Sequence, residues 1–243
     1  MSSANWSGRI AIVTGGNSGI GHAIAHALAA MRMRVAIAGR RAEHNESVAD
    51  ELRTQYEIEA IPVQADVSCE ADCRALIRSV VDHWGAIDLL VNNAGVFGGG
   101  SVAETETAAF DQTMRTNLYG AFWCAREAFP HLAGDSGAGG GSVNGYIINI
   151  ASLCGVEAWA GTGTYSASKF GMVGLTQSLA DEGKAGRVKA TAICPALVAT
   201  DMAGAAGEEI LQPSDIAETV RWLLALSPAC WPVEVVLPRR DAS

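Results

Sequence analysis

The chain has 243 residues, of which 49% are hydrophobic and 18% charged, and a formal net charge of -9. That length and apolar content can bury a substantial core in one α/β unit. Acidity, and Lys/Arg runs never longer than two, exclude nucleic acid and anionic membrane as expected partners. No apolar run is long enough to span a bilayer, and the opening MSSANWSGRIAIVTGG lacks a charged-then-apolar leader pattern. None of the six cysteines forms a CxxC, so a reduced, cytoplasmic protein is expected. Cys69 and Cys73 lie one helical turn apart, but no nearby His/Cys pair completes four ligands; they read as free thiols, and no metal site is expected.

In chain order, RIAIVTG (9–15) reads as an apolar strand ending at glycine, and 19–31 as an apolar helix. A strand at 34–39 and a polar-faced helix at 42–56 follow, then a strand at 59–66 and a helix at about 69–83. AIDLLVNNAG (86–95) is the fourth strand, and one long helix is predicted over about 105–131. GYIINIAS (145–152) is the fifth strand, 163–184 a helix, VKATAIC (188–194) the sixth strand, 214–226 a helix and VEVVL (233–237) the seventh strand. The strands are near-continuous apolar runs, as expected when helices cover both faces of a parallel sheet. The alternation predicts a doubly wound seven-stranded parallel sheet in a single domain over 1–243, with ligands at the carboxyl ends of the strands. The segment 133–145, with five glycines between 137 and 145, reads as a flexible connection into the fifth strand.

TGGNSGIG (14–21) follows the first strand and opens the first helix. Gly15, Gly19 and Gly21 let the backbone turn sharply and approach a pyrophosphate. Asn17, Ser18 and Ile20 line that turn, and the helix start offers unpaired N–H groups. The second strand ends in AIAGRR. Where an acidic residue would meet ribose hydroxyls, the chain has Gly39, Arg40 and Arg41. Guanidinium groups there favour a 2′-phosphate, hence NADP(H) over NAD(H). Asp66 and Val67, after the third strand, fit either contacts to adenine or a plain helix entry.

TYSASKF (164–170) sets Tyr165 and Lys169 at i, i+4 on one helix face with small residues between. A free phenol titrates near 10, and an ammonium one turn away favours the phenolate, which suits a general acid/base. Ser152, just past the fifth strand, can hold a carbonyl oxygen for protonation. Asn117, mid-helix where an amide has low propensity, reads either as a relay that holds water for Lys169 or as a satisfied core amide.

TGGNSGIG, the Asp-Val pair at 66–67, NNAG at 92–95, Asn117, Ser152 and YSASK at 165–169 occur in this order and spacing. The set resembles the short-chain dehydrogenase/reductase family over essentially the whole chain. The resemblance implies a Rossmann sheet and hydride transfer at the nicotinamide, with a small carbonyl or alcohol substrate as in a carbonyl reductase. It implies that Asn93 and Gly95 border the adenosine ribose, and that Lys169 bonds the nicotinamide ribose. It also implies that the Val198 backbone and Thr200 hydroxyl, in CPALVAT, meet the carboxamide. Two departures stand out. Pro195-Ala196 replaces the family's usual Pro-Gly, and the ending WPVEVVLPRRDAS lacks the common glycine-rich close.

Residues 96–101, 153–162 and 201–211 are expected to wall the substrate pocket, mostly with apolar groups such as Val96, Phe97, Val156, Trp159 and Met202; Glu157 reads as a solvated loop charge. A homo-oligomer, dimer or tetramer, is expected on resemblance. Surplus apolar residues such as Phe122, Trp123, Phe129, Met172 and Leu175 on the long helices add to that expectation. The rival readings are an NAD(H)-preferring dehydrogenase, a cofactor-recycling isomerase or dehydratase, and a dinucleotide-sensing regulator without catalysis. The chain is short for the second, and keeping Ser152, Tyr165 and Lys169 together argues against the third.

Overall fold

A computed structural model describes residues 6–132, 144–204, 207 and 209–239; the glycine-rich stretch 133–143 lies outside them. Seven strands pair in parallel: β1 (Ile10–Thr14), β2 (Arg34–Gly39), β3 (Ala60–Gln64), β4 (Leu89–Asn92), β5 (Gly145–Ile150), β6 (Val188–Pro195) and β7 (Glu234–Leu237). Their order is β3-β2-β1-β4-β5-β6-β7. Chain direction across the sheet therefore reverses between β1 and β4, which opens a crevice at their carboxyl ends. Every residue of β1, β4, β5 and β6 is buried, which explains why these strands read as unbroken apolar runs. The edge strand β7 alternates exposed and half-buried residues.

Helices α1 (Gly19–Ala30), α2 (Ala42–Tyr56) and α7 (Pro213–Ala225) cover one face of the sheet. The other face is covered by α3 (Glu70–Trp84), α5 (Gly120–Leu132) and α6 (Gly163–Gly186). Two large buried apolar clusters result, with a smaller third around Met172 and Val173. One joins Val13, Ile24, Leu28, Val35 and Leu223; the other joins Ile12, Leu76, Leu90, Cys124 and Leu179. Trp6 closes the first by donating from Nε1 to the Leu224 carbonyl at 2.8 Å.

The helix predicted over 105–131 differs in an informative way. A short turn at Val102–Glu104 precedes α4 (Thr107–Met114), and a π-helical segment at Arg115–Tyr119 joins α4 to α5. Asn117 sits in that segment and is fully buried. One extra residue in a turn re-aims a side chain, and such bulges gather at functional sites. Hydrophobic periodicity does not report them, because the helix continues on both sides.

Candidate active site

The carboxyl ends of β1, β4, β5, β6 and β7 open into one cleft of about 1300 Å³. At one end β1 runs into the glycine-rich turn. Gly15 has φ +63°, and a Cβ there would lie 2.9 Å from Nδ2 of Asn93. A Cβ on Gly21 would lie 2.2 Å from the Gly15 carbonyl oxygen, so no side chain fits. Asn93 holds this turn open, donating from Nδ2 to the carbonyls of Thr14 at 2.9 Å and Gly15 at 3.2 Å. Helix α1 then begins with neither a side-chain cap nor an acidic residue in its first turn. Its N–H groups and positive dipole end face the cleft beside Ser18, Gly19 and Ile20.

The end of β2 is tied to this turn. Asn45, fully buried on α2, donates to the carbonyls of Gly39 and Val63, and its Oδ1 accepts from Asn17 Nδ2 at 2.6 Å. Arg41 donates to Asn17 Oδ1 at 3.4 Å, which brings a guanidinium to the glycine-rich turn. Arg40 and Arg41 are exposed and form no ion pair with an acidic residue among the described residues. Asp66 serves as a turn former. Its Oδ1 accepts from the backbone and hydroxyl of Ser68 at 3.0 and 2.8 Å, just before α3.

At the other end, β5 stops at Ile150 and the chain turns through Ser152. The Ser152 hydroxyl oxygen accepts from the Cys154 amide at 3.1 Å, which leaves its proton to be donated elsewhere. Its hydroxyl lies on the side of the Tyr165 phenol and favours the ionised form of that phenol. Lys169 is buried one turn along α6. Its Nζ donates to the Ile150 carbonyl at 2.8 Å and lies 5.6 Å from the centre of the Tyr165 ring. Phe97 packs edge-on against that ring at 5.1 Å.

The titration of the pair departs from the expectation that Lys169 simply acidifies the phenol. Burial pushes Tyr165 up to about 12, against the pull of the Ser152 hydrogen bond. Burial also brings Lys169 down to about 8. Desolvation disfavours the charged form of each group and is the largest cause of both shifts. The lysine ammonium is held by a backbone carbonyl, not by the phenol.

Asn117 lies behind the cleft wall. Its amide exchanges two hydrogen bonds with the Val96 backbone, at 2.8 and 2.9 Å, and donates to Ser168 Oγ at 3.0 Å. Ser168 in turn donates to the Tyr165 carbonyl at 2.7 Å. The side chain is thus fully committed as a brace between the segment after β4 and the helix that carries Tyr165 and Lys169. Gly95 lies between: a Cβ there would sit 3.3 Å from Asn117 Oδ1 and 3.8 Å from Lys169 Nζ.

The short chain dehydrogenase family model matches residues 9–210 of the chain. This chain belongs to that family. It is 37% identical over 197 residues to 2-(R)-hydroxypropyl-CoM dehydrogenase of Xanthobacter autotrophicus, covering 80% of this chain and 76% of the relative. It is 32% identical over 228 residues to the 3-oxoacyl-[acyl-carrier-protein] reductase of Staphylococcus aureus, covering 88% and 89%. Among solved structures, a short chain dehydrogenase from Burkholderia cenocepacia in complex with NADP superposes with a TM-score of 0.87 at 28% identity, over 97% of this chain and 98% of that one. A 3-ketoacyl-(acyl-carrier-protein) reductase from Brucella melitensis complexed with NADH gives 0.86 at 26% identity, over 96% and 98%.

In this short-chain dehydrogenase the cleft wall gathers Gly15, Ser18, Gly19, Ile20, Asn93, Gly95, Ser152, Tyr165, Lys169, Val198 and Thr200 from the residues singled out in the sequence. Asn17, Gly21, Arg40, Arg41, Asp66, Val67 and Asn117 do not line it; they flank the turn or stand behind the wall. Thr200 reaches across to the glycine-rich turn, and a Cβ on Gly19 would lie 3.2 Å from its methyl. The expected pocket wall is present in Val96, Phe97, Trp159 and Met202, while Val156 packs against a buried cluster; Glu157, read as a solvated loop charge, is exposed and also borders the cleft. Unforeseen in the wall are Leu197, Val236, Pro238 and Arg239. Arg239 is exposed and has no ion-pair partner among the described residues. Its signal was the atypical C-terminal ending, whose route back over the cleft depends on β7 pairing with β6. Ala196, in place of the usual glycine, donates its amide to the Leu237 carbonyl at 2.9 Å and so joins that same edge.

Proposed function

We propose that this chain is an NADP(H)-dependent oxidoreductase interconverting a ketone or aldehyde with the corresponding alcohol, with Tyr165 as the general acid/base. The observation that carries this reading is the gathering of Ser152, Tyr165 and buried Lys169 in the same cleft as the glycine-rich turn. The residues present fit a dinucleotide. A side-chain-free cradle at Gly15 and Gly21, an uncapped helix start and a long cleft suit a pyrophosphate flanked by two nucleosides. When bound, the coenzyme supplies or accepts the hydride.

The chain's own residues do the rest. Ser152 donates to the substrate oxygen and holds it against the Tyr165 hydroxyl. With its pKa about 12 the phenol is fully protonated at neutral pH, so it is ready to give a proton to a carbonyl that gains a hydride. In the oxidative direction it must take that proton, which a positive charge in the cleft assists. Lys169 carries the resident cation, held in place by Ile150. Asn117 and Ser168 keep α6 in register with the wall after β4.

Support for NADP(H) comes from Arg40 and Arg41, two exposed guanidinium groups with no acidic partner, one of them bonded to Asn17 of the turn. The apolar wall of Phe97, Trp159, Leu197 and Met202 suits an apolar flank on the substrate, and Arg239, without an ion-pair partner among the described residues, offers a place for an anionic tail. Exposed Phe110, Phe122 and Phe170 on α4, α5 and α6 favour pairing of copies through those helices, whereas Met172, which looked surplus in the sequence, belongs to the core. Light scattering that finds only monomers removes that part. The deciding experiment is steady-state turnover of NADPH and NADH over a panel of ketones, with Tyr165→Phe as control. Tight coenzyme binding without turnover on any carbonyl overturns the reading in favour of a sensor.

A further inference from the structure

Outside the cleft, three metal-ligating side chains converge on the solvent side of α1. His22 and His26 stand at i, i+4 on one face of that helix, with ring centroids 4.4 Å apart. Glu51 reaches toward them from α2. Its Oε2 lies 3.2 Å from Nε2 of His22 and 3.5 Å from Nε2 of His26, and one donor atom from each of the three residues falls within 4.8 Å of the others. A tetrahedral ion with bonds of about 2.0–2.1 Å sets its ligands about 3.3 Å apart, which is the spacing of Glu51 to each imidazole.

The hydrogen bonding leaves one buried group unexplained. Nδ1 of His26 is 3.2 Å from the Tyr56 hydroxyl, while its Nε2 is shut off from solvent and has no hydrogen-bond partner. If Nδ1–H donates to Tyr56, the Nε2 lone pair faces a carboxylate oxygen across 3.5 Å, an arrangement that calls for an electrophile between them. A ring nitrogen anchored by an oxygen while the other faces the cluster is the usual support of a metal-bound histidine. Ser47 donates to the other oxygen of Glu51 at 3.4 Å, leaving Oε2 for the cluster. His22 and Glu51 are partly exposed, which leaves a fourth position for water.

We infer that His22, His26 and Glu51 form a binding site for a divalent transition-metal ion of the zinc class, which clamps α1 to α2 behind the glycine-rich turn. Its role is structural: the two helices flank β1 and β2, and no cleft residue is among the ligands.

Isothermal titration of Zn²⁺ into the full chain, free of affinity tag and stripped with chelator, should give a single equivalent and raise the unfolding temperature. His26→Gln and Glu51→Gln should each weaken binding by more than about tenfold, and Tyr56→Phe by a smaller factor of up to about tenfold. Cys69→Ser and Cys230→Ser should leave it unchanged. Should the histidine and glutamate variants fold poorly, Co²⁺ bound to the unaltered chain gives an independent reading: a tetrahedral visible spectrum without thiolate charge transfer. No binding at micromolar zinc, binding retained in both His26→Gln and Glu51→Gln, or a thiolate signature would overturn the assignment.

Discussion

At the end of the cleft proposed for the phosphates, side chains leave space free; at the end proposed for the reaction, they hold one another. In the β1–α1 turn Gly15 and Gly21 carry nothing, Asn93 props the carbonyls of Thr14 and Gly15, and α1 starts uncapped. The β5–α6 corner works because Lys169 is pinned by Ile150, and α6 is braced through Ser168 to Asn117. An anion is met by backbone amides at fixed positions, whereas proton transfer needs one hydroxyl aimed to within a hydrogen bond. The first end should tolerate change only in the form of lost affinity, and the second in the form of lost turnover.

Tyr165→Phe tests the contrast most severely. It should lower kcat by about 10²–10⁴-fold with coenzyme affinity within a few-fold, since it removes only the proton donor; near-full turnover would break the assignment. Lys169→Met should cost on the order of 10²-fold in kcat and weaken coenzyme binding as well, because one ammonium serves both the proton transfer and the bound coenzyme. It carries a second signature. Between about pH 8 and the ordinary lysine value of 10.5, the unfolded chain holds a proton that the folded chain has lost. Stability conferred by this residue therefore rises with pH through that window, by roughly 3 kcal/mol. Coenzyme-free unfolding curves of the original chain relative to Lys169→Met should diverge in that direction, and parallel curves would place the ammonium in water.

Smaller effects sharpen the phosphate end. Arg40→Ala combined with Arg41→Ala should raise the Kd for NADPH about tenfold or more and leave that for NADH nearly unchanged. Equal loss for both coenzymes would mean the arginines shape the turn through Asn17 without reading a phosphate. The smallest expected change belongs to Arg239→Ala, a several-fold rise in KM for carboxylate-bearing ketones and none for neutral ones of similar size. A uniform shift across both substrate sets would return Arg239 to the solvent.

Legibility differed along the same axis. Strand and helix boundaries emerged within one or two residues for most of the sheet, because parallel strands buried on both faces read as apolar runs. TGGNSGIG and YSASK announced their neighbourhoods because glycine spacing and an i, i+4 phenol–amine pair are local features. Asn117 was noticeable as a mid-helix amide, but its partners, Val96 and Ser168, lie 21 and 51 residues away, and the π-helical turn that aims it leaves no periodic trace. Asn45, which joins Asn17 to Gly39, reads in sequence as one polar residue on a polar helix.

Residue order alone settled the layer architecture and the i, i+4 placement of Tyr165 and Lys169, because each follows from short-range periodicity and the covalent spacing of groups on one helix. Tertiary packing decided which of those groups are desolvated, and so placed Tyr165 near 12 and Lys169 near 8. It also decided that the C-terminal arginine returns to the cleft and that two histidines of α1 meet a glutamate of α2. Burial and cross-element distance depend on the whole sheet being assembled, and no local stretch of sequence carries them.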